Sequence, residues 1–271
     1  FPAVFWKLPG ESTQLNTYNS DEYTILVSIQ AMDPARLDFN PVSEKDPLAL
    51  SGGTFHTYLY AAALKTLSGK CEARVCDVAD GASIEKAFDE TLQKYGRVDG
   101  CFANAGIGGG GRSSFIDRSQ AEWRQMLATN LDGAVLTLQH AARHMRDRAA
   151  KGDAFGRLVA TSSLASISGT ARNEHYAATK GALNSIIRAL AVELSRYGVT
   201  AHCVLPGWIQ SEMTDGLFHN EKFVANVMPR IPMRRFGTPE DFAAIAVYIM
   251  SKGSSYHTGE MFLIDGAYSI F

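Results

Sequence analysis

Tyr176 and Lys180 stand four residues apart in YAATK, a spacing that puts a phenol and an ammonium on one face of a helix. A free tyrosine titrates near pH 10, and a neighbouring cation favours its phenolate, so such a pair can give or take a proton near neutrality. With ten tyrosines in the chain, one lysine at that spacing is weak evidence by itself, and a solvated helix face is the bland alternative. Ser163 strengthens the pattern. It follows the strand-like RLVAT, and the carboxyl end of a parallel strand is where open α/β sheets hold ligands. Asn104, Ala105 and Gly106 (NAG) follow a second apolar stretch, Asn130 sits in TNLDG, and Pro206, Gly207 and Ser211 follow a third.

The elements around these residues alternate. Ile84, Ala87, Phe88, Leu92 and Tyr95 share a helical face, and Gly96 marks its stop. Residues 98–103 (VDGCFA), 157–161 (RLVAT), 199–205 (VTAHCVL) and 261–264 (MFLI) read as buried strands. A long helical region over 120–149 is expected to bend near Asn130, and residues 177–197 carry Leu183, Ile186, Ile187, Leu190 and Leu194 at helical spacing. Thr238, Pro239, Glu240 and Asp241 form a helix start: a capping hydroxyl, proline in the first turn, then acids. Near-continuous apolar strands alternating with helices imply an α/β fold. The expectation is a single-domain, Rossmann-type, doubly wound parallel sheet with helices on both faces.

Composition fits that class. Of 271 residues, 46% are hydrophobic and 20% charged, and the net charge of −2 comes without a Lys/Arg-rich run. Neither nucleic acid nor a membrane is an expected partner. No apolar run is long enough to cross a bilayer, and the first residues lack the charged start of a signal peptide. Cys71, Cys76, Cys101 and Cys203 have no paired spacing and read as reduced thiols, which points to a cytoplasmic protein without a metal site. His140 and His144 lie one helical turn apart but have no third ligand. His175 reads as a wall residue beside Tyr176.

Together these pieces resemble the short-chain dehydrogenase/reductase family over roughly three quarters of the chain, from about Cys71 onward. The matching pieces are Asp77-Val78 after a strand, NAG at Asn104–Gly106, Asn130, Ser163, Tyr176 with Lys180, and Pro206-Gly207 with Ser211. Thr258-Gly259 and Asp265-Gly266 complete the set. The resemblance implies interconversion of a carbonyl and a secondary alcohol with NAD(H) or NADP(H). Tyr176 would be the acid/base. Lys180 would lower its pKa and bind the nicotinamide ribose, Ser163 would hold the substrate oxygen, and Asn130 would keep a relay water in place. Asp77 and Val78 would meet the adenine, Asn104, Ala105 and Gly106 would lie along the cofactor, and Pro206, Gly207 and Ser211 would flank the carboxamide.

A neutral or apolar-flanked ketone suits Leu164, Trp208, Met213 and Phe218, a 3-oxoacyl thioester being one specific case. Residues 217–233 would form a lid or else an ordinary amphipathic helix, and residues 106–111 (GIGGGG) a flexible loop lining the cleft. Relatives usually pair through their long helices, so a homotetramer or homodimer is expected.

The first 70 residues depart from the pattern. The first strand should be residues 23–28 (YTILVS), yet no glycine occurs between Gly10 and Gly52, where a phosphate-binding turn needs several. Residues 51–54 (SGGT) come too late, and residues 37–49 do not read as the helix that should follow. Three readings stay open: a sequence error before residue 71, a remodelled loop, or a cofactor-deficient chain that serves as a binding or scaffolding protein.

Overall fold

The computed structural model describes residues 2–6, 25–28, 71–108, 113–211 and 213–271, with backbone alone for the stretches before Cys76. The expected turn after the first strand, the late SGGT and the second half of the glycine-rich 106–111 loop lie outside the described residues.

Seven strands form one sheet in the order β3-β1-β2-β4-β5-β6-β7. They are β1 (Pro2–Trp6), β2 (Ile25–Ser28), β3 (Cys71–Val75), β4 (Gly100–Ala103), β5 (Gly156–Thr161), β6 (Val199–Pro206) and β7 (Met261–Ile264). The five from β2 through β7 in that order run parallel, as the apolar runs imply. Strand β1 corrects the expectation of a wholly parallel sheet, because it pairs antiparallel with both β2 and β3. An antiparallel neighbour needs no crossover helix between its strands, so β1 can enter the sheet without the βαβ pattern that the rest of the chain shows.

Strand alternation separates two apolar layers. Cys101, Ala103, Leu158, Ala160, Cys203 and Leu205 point to one face, where they meet helices α1 (Gly81–Tyr95), α3 (Gly133–Ala149) and α4 (Glu174–Leu194). Phe102, Val159, Val204 and Phe262 point to the other and meet Ile245 and Ile249 of α7 (Ala243–Met250). Arg157, buried on β5, ties that helix down by donating to the carbonyls of Ile249 and Ser251. The α/β class therefore stands, with helices on both faces. Cys76, Cys101 and Cys203 are buried free thiols, and burial pushes the last two up to about 12.

The expected bend near Asn130 has a definite form. Helix α2 (Gln120–Leu127), capped by a reciprocal Ser119–Glu122 box, passes into a π turn at Ala128–Asp132 before α3 begins. Thr238 and Asp241 make the expected capping box ahead of α7. No helix among the described residues is long and apolar enough to cross a membrane.

Candidate active site

Strands β4, β5 and β6 all end on the same edge of the sheet, so Asn104, Ser163 and Gly207 emerge together because of their register. Helix α4 returns across that edge with Tyr176 and Lys180 in its first two turns.

Lys180 is buried, and its Nζ donates to the Thr161 carbonyl at 2.6 Å and lies 5.5 Å from the Tyr176 ring centre. Burial lowers its pKa to about 8. Burial moves the Tyr176 phenol the other way, upward, while a hydrogen bond from Ser163 pulls it down. The expected lysine-driven lowering of the phenol is not what dominates in the protein alone. Removing both groups from water favours the neutral form of each, and it is the largest cause for both.

The Ser163 hydroxyl accepts from the Ala165 amide at 3.1 Å, which fixes its rotamer at the start of a 3-10 turn. Asn130 is buried in the π turn. Its Oδ1 accepts from the Ile107 amide at 2.7 Å, and its Nδ2 donates to the Ile107 carbonyl at 2.9 Å. The carboxamide thus mimics a neighbouring strand for the segment after β4. Asn104 Oδ1 accepts from the Thr161 hydroxyl at 2.7 Å, which joins the ends of β4 and β5.

Gly106 has no side chain where one would crowd the centre: a Cβ there would stand 3.4 Å from Asn130 Oδ1 and 3.5 Å from Lys180 Nζ. Gly207 is more constrained, since a Cβ would fall 2.5 Å from that of Asp265. Its amide donates to the Ile264 carbonyl, so the Pro206-Gly207 and Asp265-Gly266 pieces are held back to back.

The remaining expected residues lie as follows. Asp77 is exposed after β3, its Oδ1 accepting from the Ala79 amide, and Val78 is buried against Gly133. Ala105 is buried. Ser211 is exposed and paired with Thr214. Leu164 is buried beside Ser163, and Met213 stands across from Gly108, whose Cβ would be 3.1 Å from its Cγ. Trp208 and Phe218 pack, partly buried, against a small apolar cluster with Phe223, Val227 and Phe236, where Phe218 stacks on Phe236 at 4.1 Å. The segment expected as a lid or one helix is two short helices, α5 (Asp215–Phe218) and α6 (Glu221–Val227), packed around that cluster. His140 stacks on Phe88.

The residues present fit a nicotinamide ribose. The Lys180 ammonium has one hydrogen-bond partner among the described residues, which leaves two buried N–H groups facing the space that Gly106 keeps open. Thr161 and Arg118 went unnoticed in the sequence. Thr161 acts through its backbone carbonyl, which no side-chain pattern reveals, and Arg118 lies 57 positions from its partner His175.

A parallel sheet whose strand ends gather a serine, a tyrosine and a buried lysine defines a dinucleotide-dependent oxidoreductase. Residues 57–269 match a family profile described as enoyl-(acyl carrier protein) reductase. An acetoacetyl-CoA reductase of Synechocystis is 36% identical over 209 residues, covering 76% of this chain and 83% of the relative. A 3-oxoacyl-[acyl-carrier-protein] reductase of Mycobacterium avium is 33% identical over 192 residues, covering 70% and 71%. Among solved structures, a short-chain type dehydrogenase/reductase from Mycobacterium marinum superposes with TM-score 0.71 at 30% identity, covering 78% of this chain and 80% of that one. A gluconate 5-dehydrogenase from Burkholderia cenocepacia, solved with NADP and tartrate, gives TM-score 0.67 at 28% identity, covering 72% and 74%. The chain belongs to the short-chain dehydrogenase/reductase family, and it is an NAD(P)-dependent oxidoreductase of the carbonyl/alcohol type.

Proposed function

We propose that this protein interconverts a 3-oxoacyl thioester, or a ketone of similar apolar flank, and the corresponding secondary alcohol. The observation that carries this reading is the buried Lys180 ammonium, bonded to the Thr161 carbonyl and 5.5 Å from the Tyr176 ring centre, with Ser163 two residues beyond that carbonyl. A bound nicotinamide supplies or accepts the hydride. Tyr176 gives its proton to the substrate oxygen in reduction and takes it back in oxidation, and Ser163 donates to that oxygen as charge develops on it. Lys180 holds the ribose with its two free N–H groups and replenishes the phenol's proton along the Asn130 side. Because burial holds the phenol above its ordinary value, Tyr176 is protonated throughout the neutral range and ready for reduction.

Asp77, Val78, Asn104, Ala105, Gly106, Pro206, Gly207 and Ser211 line the cofactor side in this reading, with Leu164 and Met213 toward substrate. The thioester is favoured by the two reductases among the relatives and by the exposed Ile167 beyond Leu164, which offers an acyl chain an apolar surface. The sheet and its main apolar cluster run without interruption from Cys76 to Leu205, which supports one domain. Exposed Val192 on α4 supports pairing of copies through the long helices. The buried, unpaired thiols favour a cytoplasmic setting.

The test is a titration with NADH and NADPH followed by energy transfer from the tryptophans, then turnover of a panel of 3-oxoacyl thioesters, sugars and simple ketones. Tyr176→Phe is expected to bind the dinucleotide normally and to lose about 10²- to 10⁴-fold in kcat. Absence of saturable binding of either dinucleotide would sink the reading and favour a scaffolding role.

A further inference from the structure

Tyr176 is the third residue of α4, in the turn of a helix that is least held by its own hydrogen bonds. The start of α4 also lacks a side-chain cap. Its N-cap, Asn173, makes no side-chain capping bond, and the preceding Arg172 has a left-handed φ of 64°, which a β-carbon disfavours.

A single guanidinium braces this segment through its carbonyls, beside the Glu174 carboxylate, which accepts from the Arg172 amide at 2.8 Å. The Arg118 side chain is 4% exposed. Its Nη2 donates to the carbonyls of Arg172 at 2.7 Å and Ser113 at 3.0 Å. Its Nη1 lies 2.9 Å from Nε2 of buried His175 and 3.7 Å from Glu122 of α2. His175 is in turn stacked on Trp123, also of α2. Arg118 therefore joins the loop after β4, the start of α2 and the residues immediately before Tyr176.

We propose that Arg118 is a positioning residue for Tyr176, holding the uncapped first turn of α4 so that the phenol keeps its alignment with Ser163. The proposal rests on the acid/base role given to Tyr176 above. For Arg118 to donate, Nε2 of His175 must carry no proton. Burial first, then the Arg118 charge, lower the His175 pKa, while Glu122 and Glu174 raise it, so the net effect keeps the ring neutral at pH 7.

Arg118→Met keeps the length of the side chain and removes the fork. The expected result is a fall in kcat of about ten- to a hundredfold with KM for the dinucleotide changed by less than about threefold, because misalignment affects chemistry more than binding. Amide exchange at Ala177, Ala178 and Thr179 should speed up in the same variant. Arg118→Lys, which retains the charge and one bond, should recover part of both, and it serves as the probe should the Met variant fail to fold. Tyr176→Phe separates the two claims: it should lower kcat by about 10²- to 10⁴-fold and leave exchange at those amides as in the wild type. Wild-type kcat in Tyr176→Phe would defeat the acid/base reading. Wild-type exchange or wild-type kcat in the Arg118 variants would overturn the positioning role.

Discussion

The Nζ of Lys180 is bonded to the main-chain carbonyl of Thr161, at the end of β5, and not to the phenol of Tyr176. The lysine is thus fixed to the sheet, while the tyrosine rides on the helix. Their relative position depends on how α4 docks across β5 and β6, and the four-residue spacing alone cannot set it.

The burial of Lys180 leads to a pH-dependent stability. Lys180 has a pKa of about 8 in the fold, against about 10.4 in an unfolded chain. Between these values the unfolded chain binds the proton and the folded one does not, so stability rises with pH across that window. A Lys180→Met variant lacks this term. The wild type is expected to gain on it in Tm as pH is raised from 8 to 10, by a few degrees at about 2–4 °C per kcal/mol. Thermal melts of both proteins along a pH series would measure it, and parallel curves would contradict it.

Asn130 satisfies both polar groups of Ile107. Asn130→Leu leaves an amide and a carbonyl without their partner and should cost about 1–3 kcal/mol. Asn130→Asp retains the acceptor but not the donor, so its loss should be intermediate. Chemical denaturation of the three proteins gives the order. A Leu variant as stable as the wild type would show that the pairing holds nothing.

Gly207 marks a closer tolerance. Its missing side chain admits Asp265, with a Cβ position 2.5 Å from the aspartate Cβ and 2.7 Å from its Cα. Backbone on one side and a strand end on the other leave little room to shift. Gly207→Ala should destabilise by about 1–3 kcal/mol. It should also raise KM for the dinucleotide, because Pro206 and Ser211 would move with the displaced strand end. Normal KM with lowered Tm would confine the effect to packing.

Much of this was legible in the residues. The continuous apolar runs gave β4 to β7, and the period-3.6 patterns gave the helices between them, because a strand covered on both faces is apolar throughout while a helix repeats one buried face. Ser163, Tyr176 and Lys180 were legible because chemistry demands particular side chains at particular spacings. Trp208 and Phe218 were legible as apolar but not in their packing, since an apolar residue near a strand end looks the same whether or not it also packs on a small cluster such as Phe223 and Phe236. Strand β1 was invisible because pairing direction is a tertiary choice and PAVFW has no crossover pattern to announce it. Arg118 left no trace either, as its partners are two backbone carbonyls and a histidine far along the chain.

The π turn at Ala128–Asp132 gives the rod formed by α2 and α3 a built-in phase error. A π turn spends one more residue than an α turn, so the two helices are geared a residue out of step. Each half can then serve a different neighbour, α3 meshing with the sheet and α2 with the start of α4. Deleting one residue from the turn would regularise the rod and swing α2 through about 100°. Trp123 and Glu122 would be carried away from His175 and Arg118, so a change that makes the helix more ideal would disengage the clutch between the two ends of the site.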